Sequence, residues 1–383
     1  MKHTAQPQRS TTNIIPRIVN IALVTAALAA ALICTTLVQA QTYDRLHRFH
    51  GAEGTNLRGG LTGDANGHLY GIAKNGGDFG VGTIYAMKIA TKRVVALHSM
   101  QYVEGEEAVG ELVRDAMGNL YGAARSGGLH SCGTVFKLDT KLVLTVLHTF
   151  IDSPEGCNPW GRLVIDSGGN LYGTTYAGGQ SRWGTVYKLD PAGVLTVLHS
   201  FSVSDGIGPE GGLLLHAGYL YGVTTGAGLY GYGTIFRVQI ATGATTTLHS
   251  FEGTEGMDPD AALIRDAAGN IYGTTVDGGA YNKGVIFRLD RTGVLTTLYS
   301  FTGGEDGGSP RATLVLDAAG NLYGATPYGG MHGVGTVFRF DPNGTETVLY
   351  SFDNIDGSPN GNLYMDAGIL YGTTGNWIFS VTP

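Results

Sequence analysis

The chain has 383 residues, of which 62 are Gly and 14% are charged, with 24 Lys and Arg against 31 Asp and Glu. A formal charge of −7 without a basic run argues against nucleic acid or an anionic membrane surface as a partner. So much Gly with so little charge also excludes a protein built mainly of amphipathic helices, and points to short strands joined by tight turns.

At the start, Lys2, Arg9 and Arg17 precede an apolar run from Ile21 to Val38, and Val38-Gln39-Ala40 offers small residues to a signal peptidase. This order of basic, apolar and small predicts a secretory signal peptide over 1–40. The run is long enough for an anchor helix, but a small-residue site follows it and no basic stop-transfer cluster does. Cys34 lacks the small residue that a lipid-attachment site needs before it, since Ile33 stands there. Cleavage leaves 21 Lys and Arg against 31 Asp and Glu, a charge of −10. The expected location is secreted, periplasmic or cell-surface, with no membrane span after cleavage.

From residue 41 onward the sequence repeats. A Tyr followed by Gly recurs at Tyr70, Tyr121, Tyr172, Tyr221, Tyr272, Tyr323 and Tyr371, at steps of 51, 51, 49, 51, 51 and 48 residues. Units of this period cannot bury their apolar faces alone and must stack on neighbours. In the third copy, residues 161–166 read as a first strand, Asp166-Ser-Gly-Gly-Asn170 as a turn and residues 170–175 as a second strand. A Gly-rich connection leads to a third strand over 185–190, and Pro191-Ala-Gly193 to a fourth over 194–201. Four antiparallel strands with apolar side chains on both faces describe a propeller blade.

The two ends complement each other. Residues 42–49 match a fourth strand with no first three before it, while residues 363–381 give three strands and no fourth. The prediction is therefore all-β: one domain over 41–383, a seven-bladed β-propeller of four-stranded antiparallel blades. Its ring closes when the N-terminal strand joins the C-terminal blade, leaving no edge strand open.

In this fold the fourth-to-first and second-to-third connections share a face. An acidic residue followed by Gly recurs in the former: Glu53, Glu104, Glu155, Asp205, Glu255, Asp306 and Asp356. Such an acidic loop ring suits either a cation, sugar or basic peptide, or a turn that needs a carboxylate seven times over. No cofactor or metal is expected. Calcium is the ion the oxygens would suit, although so wide a ring cannot converge on one ion. His47, His98, His148, His199 and His249 share one fourth-strand position with Tyr299 and Tyr350, so that position asks for a ring with a hydrogen-bonding tip and not a metal ligand.

Specific binding must break the seven-fold symmetry, so departures from the repeat are better ligand candidates. These are Trp160, Trp183, Arg182, Tyr176, Tyr230, Tyr232, Tyr281 and His332, with Lys283, Tyr328 and His130 beside them. Arg162, Arg265 and Arg311 stand near first strands and either line the central channel or neutralise the acidic loops. Cys132 and Cys157, alone in the mature chain and on one face, read as a disulfide.

The repeat unit Gly-Asn-Leu-Tyr-Gly-Thr-Thr, followed by Gly-Thr-Val-Tyr-Lys-Leu-Asp and Leu-Thr-Val-Leu-His-Ser-Phe over 169–201, resembles the Gloeobacter/Verrucomicrobia-type (GloVer) tandem repeat of exported bacterial proteins. The resemblance spans 42–383 and implies an exported propeller, often carrying a C-terminal anchor. Here the sequence ends at Pro383 directly after a strand, so a covalent anchor is not expected. The resemblance brings no catalytic residues.

Two functions follow. One is a non-catalytic, monomeric binding or scaffold propeller that recognises a glycan or protein ligand on its loop face. The other is a secreted enzyme acting on a polysaccharide or a lactone, which would need an asymmetric acid/base pair in the central funnel.

Overall fold

The computed structural model describes Met1 and residues 41–108 and 110–383; the signal peptide read over 1–40 lies outside the described residues. Residues 41–383 form one compact unit of seven four-stranded antiparallel sheets. Blade 1 runs Thr62–Gly63, His68–Ala73, Thr83–Lys88 and Arg93–Ser99. The last blade takes Tyr364–Asp366, Ile369–Thr373 and Trp377–Thr382 from the C-terminus and Thr42–Arg48 from the N-terminus. Thr42 faces Thr382 and Arg48 faces Trp377, so the ring closes as the terminal patterns predict. No described helix is long and apolar enough to cross a membrane.

The Tyr-Gly phrase has a steric cause. A Cβ at Gly122 would stand 2.6 Å from the Phe136 ring of the third strand, and one at Gly273 2.5 Å from Phe287. Only Gly lets the third-strand ring lie across the second strand. On its far side the same ring meets the residue that ends the previous blade's fourth strand, Met100 for Phe136 and a Phe at the other joints. Centroids are 5.0 Å apart for Phe150 and Tyr187, 4.9 Å for Phe201 and Phe236, and 5.3 Å for Phe251 and Phe287. Phe49, from the N-terminal strand, meets Tyr85 of blade 1 at 4.5 Å, so closure uses the same joint. These rings are fully or almost fully buried, and burial of this size contributes roughly 1.5–3 kcal/mol per side chain.

The Tyr of the phrase has a second task. Asp115 Oδ1 accepts the N–H groups of Met117 and Asn119 at 2.9 and 2.8 Å, while Oδ2 accepts Asn119 Nδ2 at 2.7 Å and the Tyr121 hydroxyl at 3.0 Å. Asp64, Asp166, Asp266 and Asp317 do the same for their own Tyr. The Tyr thus locks the first hairpin turn as well as packing. The fourth and seventh blades lack this turn and reverse through Ala217-Gly218 and Ala367-Gly368, all at positive φ.

Candidate functional site

The acidic loop ring and the fourth-strand rings are one device. His98 Nε2 lies 2.8 Å from Glu104, His148 2.9 Å from Glu155 and His199 2.6 Å from Asp205, and His47 and His249 meet Glu53 and Glu255 likewise. The Tyr299 hydroxyl donates to Asp306 at 3.0 Å and that of Tyr350 to Asp356 at 2.8 Å. Backbone N–H groups at Gln101, Ser202 and Thr302 donate to the same carboxylates. At the closing blade Asp356, 1% exposed, also accepts Tyr43 at 2.7 Å and Arg45 at 2.5 Å. Each carboxylate is thereby turned toward its own blade.

Symmetry breaks elsewhere. Each blade carries an invariant buried Leu in or just before its first strand: Leu61, Leu112, Leu163, Leu213, Leu263, Leu314 and Leu363. Two residues before it stands Gly or Ala, because the next blade's backbone is close: a Cβ at Gly110 would lie 2.5 Å from the Gly161 carbonyl oxygen. One and three residues before the Leu, side chains alternate to the opposite side, toward the channel. There the repeat dissolves. The position three before reads Arg58, Trp160, Glu210, Asp260, Arg311 and Asn360 among the described residues, and the position one before reads Gly60, Glu111, Arg162, Gly212, Ala262, Thr313 and Asn362. Lys74 and Arg125, at the ends of second strands, join them around a cavity of about 230 Å³.

The deeper residues bridge the channel. Gly60 leaves room for Glu111 to accept Asn362 Nδ2 at 3.3 Å, and a Cβ at Gly60 would lie 2.8 Å from that of Asn362. Arg162 pairs with Glu111 at 3.3 Å, and Asn362 Oδ1 accepts the Thr313 N–H at 2.8 Å. Above this floor Lys74 pairs with Glu107 at 2.8 Å and Arg311 with Asp260 at 2.7 Å. The Arg125 guanidinium lies 4.4 Å over the Trp160 ring and 3.9 Å from Glu107.

Burial pushes the Glu111 carboxyl up, with Arg162 and Asn362 opposing. Burial likewise raises Asp260 against Arg311, and raises Asp258 with help from the Asp260 charge. Glu210 is pushed up to about 7 by burial and by Asp260 and Asp258, with Arg125 and Arg311 pulling the other way. Carboxylates perturbed by burial and specific charges in a cleft make this cavity a candidate functional site. The mouth holds an acid that shares its proton near neutrality, five cations and one aromatic platform already covered by Arg125.

Of the ligand candidates read from sequence, the structure brings Trp160 into this cavity, together with Arg162 and Arg311. Tyr176, Arg182, Trp183, Tyr230, Tyr232, Tyr281 and His332 are exposed outside it, as are His130, Lys283 and Tyr328. Tyr232 packs over Gly253. Arg265 is displaced from the channel: it ends a first strand beside Gly269, in the hairpin turn of the opposite face. Cys132 and Cys157 form the expected disulfide. Cys157 opens a first strand, Cys157–Ile165, and not a loop, so the bond ties blade 2 to blade 3 beside Trp160. Sequence reading missed Arg58, Lys74, Glu107, Glu111, Arg125, Glu210, Asp258, Asp260, Asn360 and Asn362. The signal was available: with the repeats set in register on the invariant Leu, these residues fall in columns whose chemistry changes from copy to copy.

The Gloeobacter/Verrucomicrobia repeat model matches residues 32–164, 141–304 and 216–378. Among curated proteins none matches. Among solved structures, the chain is similar to virginiamycin B lyase from Staphylococcus aureus, at TM-score 0.64 and 11% identity, over 90% of this chain and 99% of that one. A catalytically inactive form of that lyase with quinupristin gives 0.65 and 12%, over the same shares. The extracellular domain of a protein described as a one component system from B. thetaiotaomicron gives 0.61 and 13%, over 90% of this chain and 42% of that one. At such identities the likeness is one of fold.

Proposed function

The chain belongs to the Gloeobacter/Verrucomicrobia repeat family, and on that premise we propose that it is an exported binding propeller whose channel mouth receives a glycan or protein ligand. One observation carries this reading: blades that share the Gly-against-ring joint seven times over disagree, among the described residues, at the positions that line the channel. A fold determinant is needed equally in every blade, whereas one ligand touches each blade differently. The disulfide and the repeat family are compatible with export. The fold itself says nothing of binding against catalysis.

Binding of the purified protein to glycan and peptide arrays tests the reading. A selective hit that Arg58→Ala or Glu210→Gln weakens supports it; a hit indifferent to both moves the site elsewhere. A second reading, an enzyme acting on a polysaccharide or a lactone, draws on Glu210, whose carboxyl is half protonated near pH 7 and is available as a proton donor or acceptor. Turnover of an array hit, abolished by Glu210→Gln with binding retained, would favour it.

A further inference from the structure

The binding reading above leaves the chemistry of the ligand open, and the charge layout of the cavity narrows it. Blades 1 to 3 contribute Arg58, Lys74, Arg125 and Arg162 with Glu107 and Glu111; blades 4 to 6 contribute Glu210 and Asp260 with Arg311. Ion pairs join Arg162 with Glu111 and Arg311 with Asp260, while the single carboxylate of Glu107 is shared by Lys74 at 2.8 Å and, more loosely, Arg125 at 3.9 Å. Among the described residues this leaves cationic groups at blades 1 and 2 and a carboxyl at blade 4. Among the described residues Arg58 has only Asn56 as a hydrogen-bond partner, at 3.3 Å, and Arg125 lies over Trp160 at 4.4 Å. Glu210 has no ion pair or side-chain hydrogen bond among these residues.

Both poles lie in a cavity of about 230 Å³, smaller than the ~300–1,000 Å³ of drug-sized sites and suited to a single sugar ring or amino-acid unit. A unit of that size displaces water from both ends at once. A purely anionic one would leave Glu210 desolvated beside Asp260 and Asp258, and a purely cationic one would leave Arg58 and Arg125 so. We propose that the channel mouth selects a small zwitterionic unit, with its carboxylate on Arg58 and Arg125 and its ammonium on Glu210 against the Asp260 side. Trp160 is then a positioning residue: it occupies one face of the Arg125 guanidinium and leaves the donor edge for the carboxylate. Glu111, Arg162 and Asn362 close the floor, so the unit is held at the mouth.

Titration calorimetry on the purified protein decides this with four probes of similar size. Muramic acid is a sugar bearing an amine and a carboxylate, and glycylglycine is a zwitterion without a ring. Glucosamine carries only the cation and glucuronic acid only the anion. At least one zwitterion is expected to bind, about tenfold or more tighter than both half-ligands, since each pole adds a hydrogen bond to a charged group. Which zwitterion binds identifies a sugar or a peptide source. Glu210→Gln removes the preference over glucuronic acid alone, and Arg58→Ala the preference over glucosamine alone; thermal melts establish that both variants are folded. A half-ligand that binds as tightly as the zwitterions, no zwitterion binding, or a preference unchanged in both variants overturns the proposal. If an array ligand is weakened by these variants yet shows no zwitterion preference, the proposal fails and the binding reading stands. If its binding ignores both variants, the mouth is not the site and both fall.

Discussion

Asp115 and Glu210 are both partly buried carboxylic acids, and their surroundings push them in opposite directions. For Asp115, burial raises the pKa but is outweighed by Asn119, Tyr121 and two backbone N–H groups, so the carboxyl falls below its usual range. Asp64, Asp166, Asp266 and Asp317 follow it. For Glu210 burial wins, helped by the Asp260 and Asp258 charges and opposed only by the charges of Arg125 and Arg311. The turn acid recurs because a turn recurs, and its donors come from its own repeat. The channel acid is unique, and its neighbours come from different blades. The contrast teaches that in a repeat protein the satisfied, recurring polar group belongs to the fold, while the unsatisfied, solitary one is free for a ligand.

Four changes sharpen or break this contrast. Gly122→Ala pushes a methyl into Phe136 at an interblade joint and should cost about 3 kcal/mol, seen as a lower denaturant midpoint with channel binding unchanged in the folded fraction. Cys132→Ser with Cys157→Ser opens a loop of 25 residues and should cost up to about 3 kcal/mol by chain entropy. Asp115→Ala leaves two backbone donors and two side chains without their acceptor, for roughly 2 kcal/mol. That contribution has a definite sign with pH. Because the folded pKa is depressed, the stability is present above about pH 4 and is lost as the pH falls through the folded value, so the variant should have a shallower acid limb.

Glu210→Gln is the reverse case. A folded pKa of about 7 lies above the unfolded value, so the native state binds the extra proton and stability falls as the pH rises from about 4.5 to 7. The variant should match the parent near pH 4.5 and exceed it at pH 8 by roughly 1–3 kcal/mol in urea unfolding. Equal stability at both pH values would count against the desolvated carboxyl. Glu346, pushed up to about 7 by burial and Asp306 on an outer strand, adds to the same slope in both proteins and cancels in their difference.

The fold was legible because its causes recur. Tyr-Gly, the Asp turn, the His or Tyr before each loop acid, and the complementary termini each appear several times, so period and complementarity alone gave seven blades and their closure. The pairing of His98 with Glu104 was not legible, since the two stood as separate columns six residues apart whose meeting depends on the loop's path. The bond of the Tyr121 hydroxyl to Asp115, six residues back, was hidden for the same reason. At the site, Trp160, Arg162 and Arg311 were visible as departures from the repeat, but Glu210 and Asp260 hid among the many acids. Their convergence arises from closing seven first strands around one axis, which no single repeat contains.

The central claim is that the ligand contacts the broken symmetry of the mouth and not the exposed aromatics of the loops. The direct test is the affinity of an array-identified ligand for Arg58→Ala and Glu210→Gln beside Trp183→Ala and Tyr281→Ala. The account predicts a loss of about tenfold or more in the first pair and little change in the second. Loss confined to Trp183→Ala and Tyr281→Ala, with the channel variants binding like the parent, would contradict it.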